Sequence, residues 1–287
     1  MEPKTIILYH AHCPDGFGAA YAAWKKFGDA AEYIPCSYGK PVPEGLAGNI
    51  VYFVDFCYEQ EVMDAIAKEA ASVTVLDHHL GTKDIVESMP EYVFDEKRSG
   101  ATITWSYFHP DTQIPKLLKY VEDDDLYRFT YPETRPILSY LSVQPFTFSE
   151  WDTLVYMLED PDRHAALLDR ANVYGEYFEL LAHLAAEQGK LVSFEGHEVY
   201  FGRAHPFKPM QSRVGHMLAE KKGPFALVVS AHPEGYGVSI RGDGSIDVSA
   251  IARKYGGNGH PDASGFMIPL TSPMPWTLVK EDENPRN

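Results

Sequence analysis

The chain has 287 residues, 45% hydrophobic and 23% charged, an ordinary composition for a globular protein with room for two cores. Its net charge of −16 is uneven: residues 191–287 hold 10 basic and 10 acidic side chains, leaving 15 against 31 for residues 1–190. An acidic first part without a basic stripe excludes long duplex nucleic acid as a partner, and no apolar run approaches the roughly 20 residues of a membrane span.

The β-branched, apolar run Thr5–Tyr9 predicts a first strand. Phe17, Ala20, Tyr21, Trp24 and Phe27 recur at helical spacing after Gly16. Further strands are expected at Glu32–Pro35, Asn49–Val54, Val73–Leu76 and Tyr92–Phe94, with Glu59–Ala71 rich in helix formers between them. Ser99-Gly100-Ala101-Thr102 opens a helix ended by Pro110, and another starts near Ile114. Alternating strands and helices argue for a mostly parallel sheet covered on both faces.

From about Thr134 to Gly189 the pattern is helical, with breaks near Pro145 and Pro161. Asp162–Gln188 reads as one long amphipathic helix whose aromatics and leucines form a core face. Beyond Gly189, Lys190–Glu195 and Glu198–Phe201 flank a Gly196-His197 turn, and Phe225–Ala231 and Gly237–Arg241 are strand candidates. Helices are expected at Gln211–Lys221 and Val248–Tyr255, and a fraying tail from Thr271. The fold class is therefore α/β: a parallel-sheet domain over 1–135, a helical linker over 136–189 and a smaller mixed α/β domain over 190–287.

Chemistry concentrates where elements end. His10-Ala11-His12-Cys13-Pro14-Asp15-Gly16 follows the first strand, Asp55 closes Asn49–Val54, and Asp77-His78-His79 closes Val73–Leu76. Glu122-Asp123-Asp124-Asp125 follows the helix that begins near Ile114. One Asp-His-His alone fits a capped turn as well as a ligand set. Carboxyl ends of parallel strands share one edge, however, so these clusters can converge. Carboxylates mixed with imidazoles suit Mn²⁺ or a similar octahedral ion. Six such ligands are enough for two cations sharing a bridging carboxylate, roughly 3.5–4 Å apart, which suits in-line attack on phosphorus. Three cysteines, Cys13, Cys36 and Cys57, are an odd set that suits reduced thiols in a cytoplasmic protein. Met1-Glu2-Pro3-Lys4 does not have the look of a secretion signal.

With these residues in place, the chain resembles the DHH phosphoesterase family, whose signature stands here as Asp77-His78-His79. The family's first motif resembles His10 to Gly16, its lone second-motif acid matches Asp55, and its fourth-motif acid matches Asp123 or Asp125. Tyr255-Gly256-Gly257-Asn258-Gly259-His260-Pro261-Asp262-Ala263-Ser264-Gly265 resembles the glycine-rich element of the DHH-associated domain. Two departures stand out. Cys13 occupies the place of the first of two acids, either as a soft ligand or as a packed turn residue, and Asn258 replaces one glycine.

The resemblance implies a metal-dependent phosphodiesterase or phosphohydrolase using two Mn²⁺ ions, or Mg²⁺ or Co²⁺. It implies metal ligands at His10, Asp15, Asp55, Asp77, His79 and Asp123, and catalytic roles for Asp55, Asp77 and His78. Arg241, Gly257, Gly259 and His260 would bind substrate phosphate, with Tyr236 and Phe266 as candidate base-stacking rings. The implied substrate is a small nucleotide or a short single-stranded oligonucleotide, as for an exonuclease, and a homo-oligomer is compatible with it. Pyrophosphate or polyphosphate hydrolysis and a catalytically silent nucleotide sensor are the alternatives. His205, His216 and His232 stand outside every motif and read as surface or core histidines.

Overall fold

In the computed structural model, which describes residues 2–279, five short apolar runs become one parallel sheet. Its elements in chain order are β1 (Thr5–His10), α1 (Pro14–Phe27), β2 (Ala31–Cys36), β3 (Ile50–Val54), α2 (Gln60–Glu69), β4 (Ser72–Asp77), α3 (Lys83–Glu87) and β5 (Glu91–Phe94). The strand order is β2-β1-β3-β4-β5. Alternate residues explain why both faces are covered. Leu8, Val51, Phe53 and Val75 pack with Met63 and Ile66 of α2 and Val86 of α3. Ile7 and Leu76 pack with Ala19 and Ala23 of α1. Burying each of the large aliphatic side chains stabilises by about 1.5–3 kcal/mol.

The chain continues through α4 (Gly100–Phe108), α5 (Lys116–Asp125), α6 (Thr134–Leu141), α7 (Phe148–Glu159) and α8 (Pro161–Glu187). Tyr21, Trp105, Leu117 and the fully buried Trp151 join α1, α4, α5 and α7 in one cluster. The first helix begins at Pro14, earlier than the periodicity predicts, because proline is well placed in a first turn. The acids Glu122–Asp125 form the last turn of α5 and do not follow it. The long helix α8 departs from expectation in its buried face. Leu167, Ala171, Ala182 and Ala186 are buried, whereas Tyr177, Leu180 and Leu184 are exposed.

The chain divides into two units, Met1–Gly175 and Glu176–Asn287. The second contains β6 (Lys190–Phe194), β7 (His197–Arg203), α9 (Lys208–Lys221), β8 (Phe225–His232), β9 (Gly235–Gly242), α10 (Val248–Lys254), β10 (Asn258–Gly259), β11 (Ala263–Pro269) and β12 (Thr277–Leu278). They form a mixed sheet in the order β10-β11-β9-β8-β7-β6-β12, with only β7 and β8 parallel among the described pairs. Val214 and Leu218 of α9 pack on Ala226 and Val228, while Val248 and Ile251 of α10 pack on Leu227 and Ile240. The tail expected to fray is partly held, since Thr277 and Leu278 pair with Ser193 and Val192. Among the described residues no helix is long and apolar enough to cross a membrane.

Candidate metal centre

Register sets the site. Tyr9 stands opposite Val54 and Val54 opposite Leu76, so β1, β3 and β4 end at one level. β2 and β3 lie on opposite sides of β1, and the crevice between β1 and β3 is where the strand order reverses. His10, Asp55 and Asp77 occupy these ends. Asp55 has φ 56°, the left-handed region that a residue with a side chain rarely adopts, and its N–H donates to Leu76 O at 2.9 Å. Such strain costs about 1–3 kcal/mol and tends to persist where it serves a site.

The side chains converge. His78 Nε2 stands 3.2 Å from Asp55 Oδ1, 3.6 Å from Asp15 Oδ2 and 3.5 Å from Asp125 Oδ2. His10 Nδ1 is 3.6 Å from Asp55 Oδ2, and His79 Nδ1 is 2.7 Å from Asp77 Oδ1. Ligand atoms of Asp55, Asp77, His78 and His79 lie within 4.8 Å of one another, as do those of His10, Cys13 and Asp55 and those of Asp15, His78 and Asp125. Asp55 and His78 each belong to two of these groups.

Neighbouring backbone fixes the acids. Gly100 and Ala101, at the start of α4, donate their N–H groups to the two oxygens of Asp15 at 2.6 and 3.0 Å. A helix N-terminus favours such a negative charge. Gly100 must be glycine, because a Cβ there would lie 2.4 Å from Asp55 Cβ. The sequence pattern identified this stretch only as a helix start. Asp77 Oδ1 accepts from His78 N at 2.8 Å, and its Oδ2 accepts from Thr82 Oγ1 at 3.0 Å.

Asp123 is not brought to this cluster. Its carboxylate accepts from Thr130 N and Oγ1, Tyr131 N and Thr134 Oγ1, tying the end of α5 to the following turn. Helical geometry turns residues two apart away from each other, so Asp125, the alternative fourth-motif acid, is the one beside His78.

The electrostatics favour a cation. Burial pushes the Asp15 carboxyl well above its usual range, and Asp55 and Asp125 push it further. Burial and then Asp55 raise Asp125 as well, against the opposing pull of His78. Burial alone would raise Asp55, but His10, His78 and His79 outweigh it and hold that acid below the usual range. Burial opposes protonation of His78, yet Asp55, Asp15 and Asp125 carry its pKa up to about 10. His10 Nδ1, both Asp55 carboxylate oxygens and His78 Nε2 are buried without a hydrogen-bond partner. Buried polar atoms are normally satisfied, so these orphaned carboxylate and imidazole atoms fit a divalent cation.

In the second unit, Arg241 Nε and Nη2 donate to Ser212 Oγ at 3.1 and 3.0 Å. Arg241 stands opposite Ala263 in the β9–β11 register, and His260 N donates to Ala263 O, which puts Arg241 and His260 at one end of these strands. Gly257 allows close backbone approach, since a Cβ there would lie 2.1 Å from Gly265 O. Gly259 pairs with Ser264 through β10. Phe266 is buried against Phe194 and Tyr255.

Comparisons with known proteins agree with this architecture. Residues 206–277 match the DHHA1 domain model. Uncharacterized protein R106 of Acanthamoeba polyphaga mimivirus is 29% identical, the match covering 92% of this chain and 68% of that protein. Among solved structures, the DHH domain of a member of a family of ribosomal proteins is 13% identical, with a TM-score of 0.63 and coverage of 93% of this chain and 83% of that one. An exopolyphosphatase-related protein from Bacteroides fragilis is 16% identical, with a TM-score of 0.57 and coverage of 95% and 88%. The pGpG-specific phosphodiesterase PggH from Vibrio cholerae is 13% identical, with a TM-score of 0.52 and coverage of 93% and 94%. Residues 206–277 thus carry a DHHA1 domain, and the chain shares the two-domain fold of these DHH-type structures.

Proposed function

We propose that the protein is a two-metal phosphoesterase that hydrolyses phosphoester bonds of small nucleotides or short single-stranded oligonucleotides, with Mn²⁺ as its working ion. The observation that carries this reading is the convergence of four aspartates and three histidines at the β1/β3 crevice, with orphaned buried atoms on His10, Asp55 and His78. His10, Asp15, Asp55, Asp77, His79 and Asp125 would hold the ions. When bound, the cations supply Lewis acidity to a phosphoryl oxygen and lower the pKa of water.

The remaining chemistry belongs to the chain. His78 Nε2, set among Asp55, Asp15 and Asp125, is placed to donate a hydrogen bond to a substrate oxygen. The α4 N-terminus holds Asp15 in place through two backbone N–H groups. In the second unit, Arg241 supplies a planar guanidinium that grips phosphate in bidentate fashion. Gly257 and Gly259 let the backbone approach phosphate oxygens closely, their own N–H groups donating to Ala252 O and Asn258 Oδ1, and His260 adds a directed donor.

The substrate class draws support from the fold relative described as pGpG-specific. The exopolyphosphatase-related relative keeps polyphosphate as the competing substrate. Both separate in one assay. Purified protein with Mn²⁺ is supplied with pGpG, pApA, pyrophosphate and polyphosphate. Faster release of nucleoside monophosphate than of orthophosphate supports the proposal; preference for polyphosphate, or no turnover of any of these, overturns it.

A further inference from the structure

A cavity of about 540 Å³ opens in the second unit on the sheet face that carries α9. This volume is in the range of small-molecule sites. Its floor is Gly237 and Ser239 of β9 with Gly265 of β11, and the register sets Gly265 opposite Ser239 and Met267 opposite Gly237. Gly256 and Gly257 form one wall. The other carries a polar set that no motif uses: Gln211 Nε2 donates to Ser230 Oγ at 2.7 Å, and Ser230 Oγ lies 3.3 Å from His232 Nε2.

These features define what fits. A floor of two glycines and a serine is flat and nearly free of side chains, so a planar ring can lie on it. Gly237 keeps it open, because a Cβ there would lie 2.8 Å from His232 Nε2 and 3.1 Å from Ser230 Oγ. The hydrogen bonding also shapes what the wall can present. With Gln211 donating to Ser230 Oγ, its Oε1 is left as an acceptor. In the tautomer that accepts from Ser230 Oγ at Nε2, His232 carries its proton on Nδ1 and is a donor. An acceptor beside a donor matches the paired donor and acceptor on the edge of a nucleobase. Arg241 lies two residues along β9 from Ser239 on the same face of the strand, so a phosphate at Arg241 and a ring at Gly237 follow one strand.

We infer that this cavity is a nucleobase subsite in which a base lies on Gly237, Ser239 and Gly265 while Gln211 and His232 read its edge. This rests on the phosphoesterase reading for the rest of the substrate, but base recognition can be measured without turnover. The test is calorimetric binding of GMP, AMP and ribose 5-phosphate to the full chain with Mn²⁺, for the wild type and for Gln211→Ala and His232→Ala. The wild type should bind at least one nucleotide about tenfold or more tighter than ribose 5-phosphate, as expected when base-edge contacts contribute 1–3 kcal/mol. Each variant should lose most of that advantage with ribose 5-phosphate affinity unchanged. Equal wild-type affinities for all three ligands overturn the subsite, as does a nucleotide advantage that survives both substitutions. Gly237→Ala gives an independent check, since filling the cavity should weaken nucleotide but not ribose 5-phosphate binding. A base preference without hydrolysis of any phosphodiester would leave the subsite standing and remove the proposed activity instead.

Discussion

His78 Nε2 lies 3.2 Å from Asp55 Oδ1, joining the residue after β4 to the residue after β3. The two occupy neighbouring strand ends, and each stands in two of the three candidate ligand groups. Removing either therefore affects both halves of the site. Asp55→Asn, which keeps the shape and loses the charge, should lower kcat on a dinucleotide by about 100-fold or more and reduce bound Mn²⁺ by at least one equivalent per chain. Steady-state kinetics with elemental analysis check this. A variant with normal metal content and near-normal kcat would remove Asp55 from the centre.

Asp123 and Asp125 should separate cleanly. The Asp123 carboxylate accepts four hydrogen bonds from the 130–134 turn, and its role on this geometry is to hold α5 to that turn. Asp123→Ala should cost about 3 kcal/mol of stability by urea denaturation and leave metal affinity nearly intact. Asp125→Ala should do the reverse, because it removes a candidate ligand and relieves repulsion with Asp15 and Asp55. The opposite pairing of effects would return the ligand role to Asp123.

The metal-free protein should lose stability as pH rises. His78 titrates at about 10 when folded and near 6.5 when unfolded, so the folded state holds an extra proton between those values. Its contribution is fully present below about 6.5 and is lost as pH climbs towards 10. Asp15, also raised, acts in the same direction above the usual carboxylate range. Asp55, held low, contributes steadily at neutral pH and loses its effect only in strong acid. Thermal melts in EDTA should show Tm falling from pH 6.5 to pH 9, and Mn²⁺, by replacing the proton, should flatten that fall. A Tm that stays level or rises in EDTA would contradict these assignments.

Cys13 should be inert in the metal-free protein. Burial, reinforced by Asp55, Asp125 and Asp15, pushes its thiol well up, and a protonated thiol is a poor nucleophile. Peroxide should leave activity unchanged over the time that modifies an exposed thiol. Cys13→Ser should retain the Mn²⁺ stoichiometry and lose no more than about threefold in kcat, well below the cost of removing a transition-state contact. Loss of one metal equivalent in Cys13→Ser would make the thiol a ligand.

Much of the architecture was legible because strand and helix periodicities alternate strongly over the first hundred residues. Asp15, Asp55 and Asp77-His78-His79 stood out because polar ligands at strand ends interrupt apolar runs. The choice between Asp123 and Asp125 was not legible, since it depends on which way the last turn of α5 faces. Nor was the part played by Gly100, whose N–H meets an acid 85 residues away. His232 looked unattached because its partners, Ser230 and the cavity floor, come together only through β8 and β9. Phe266 looked like a stacking ring, but alternation along β11 sends it into the core.

Titrating metal-stripped protein with Mn²⁺ while following hydrolysis of pGpG tests most directly whether this cluster is a two-metal phosphoesterase centre. Turnover should be absent in EDTA and should rise until two equivalents per chain have bound. Hydrolysis that persists in EDTA, or two bound equivalents without hydrolysis of pGpG or any other phosphoester, would contradict it.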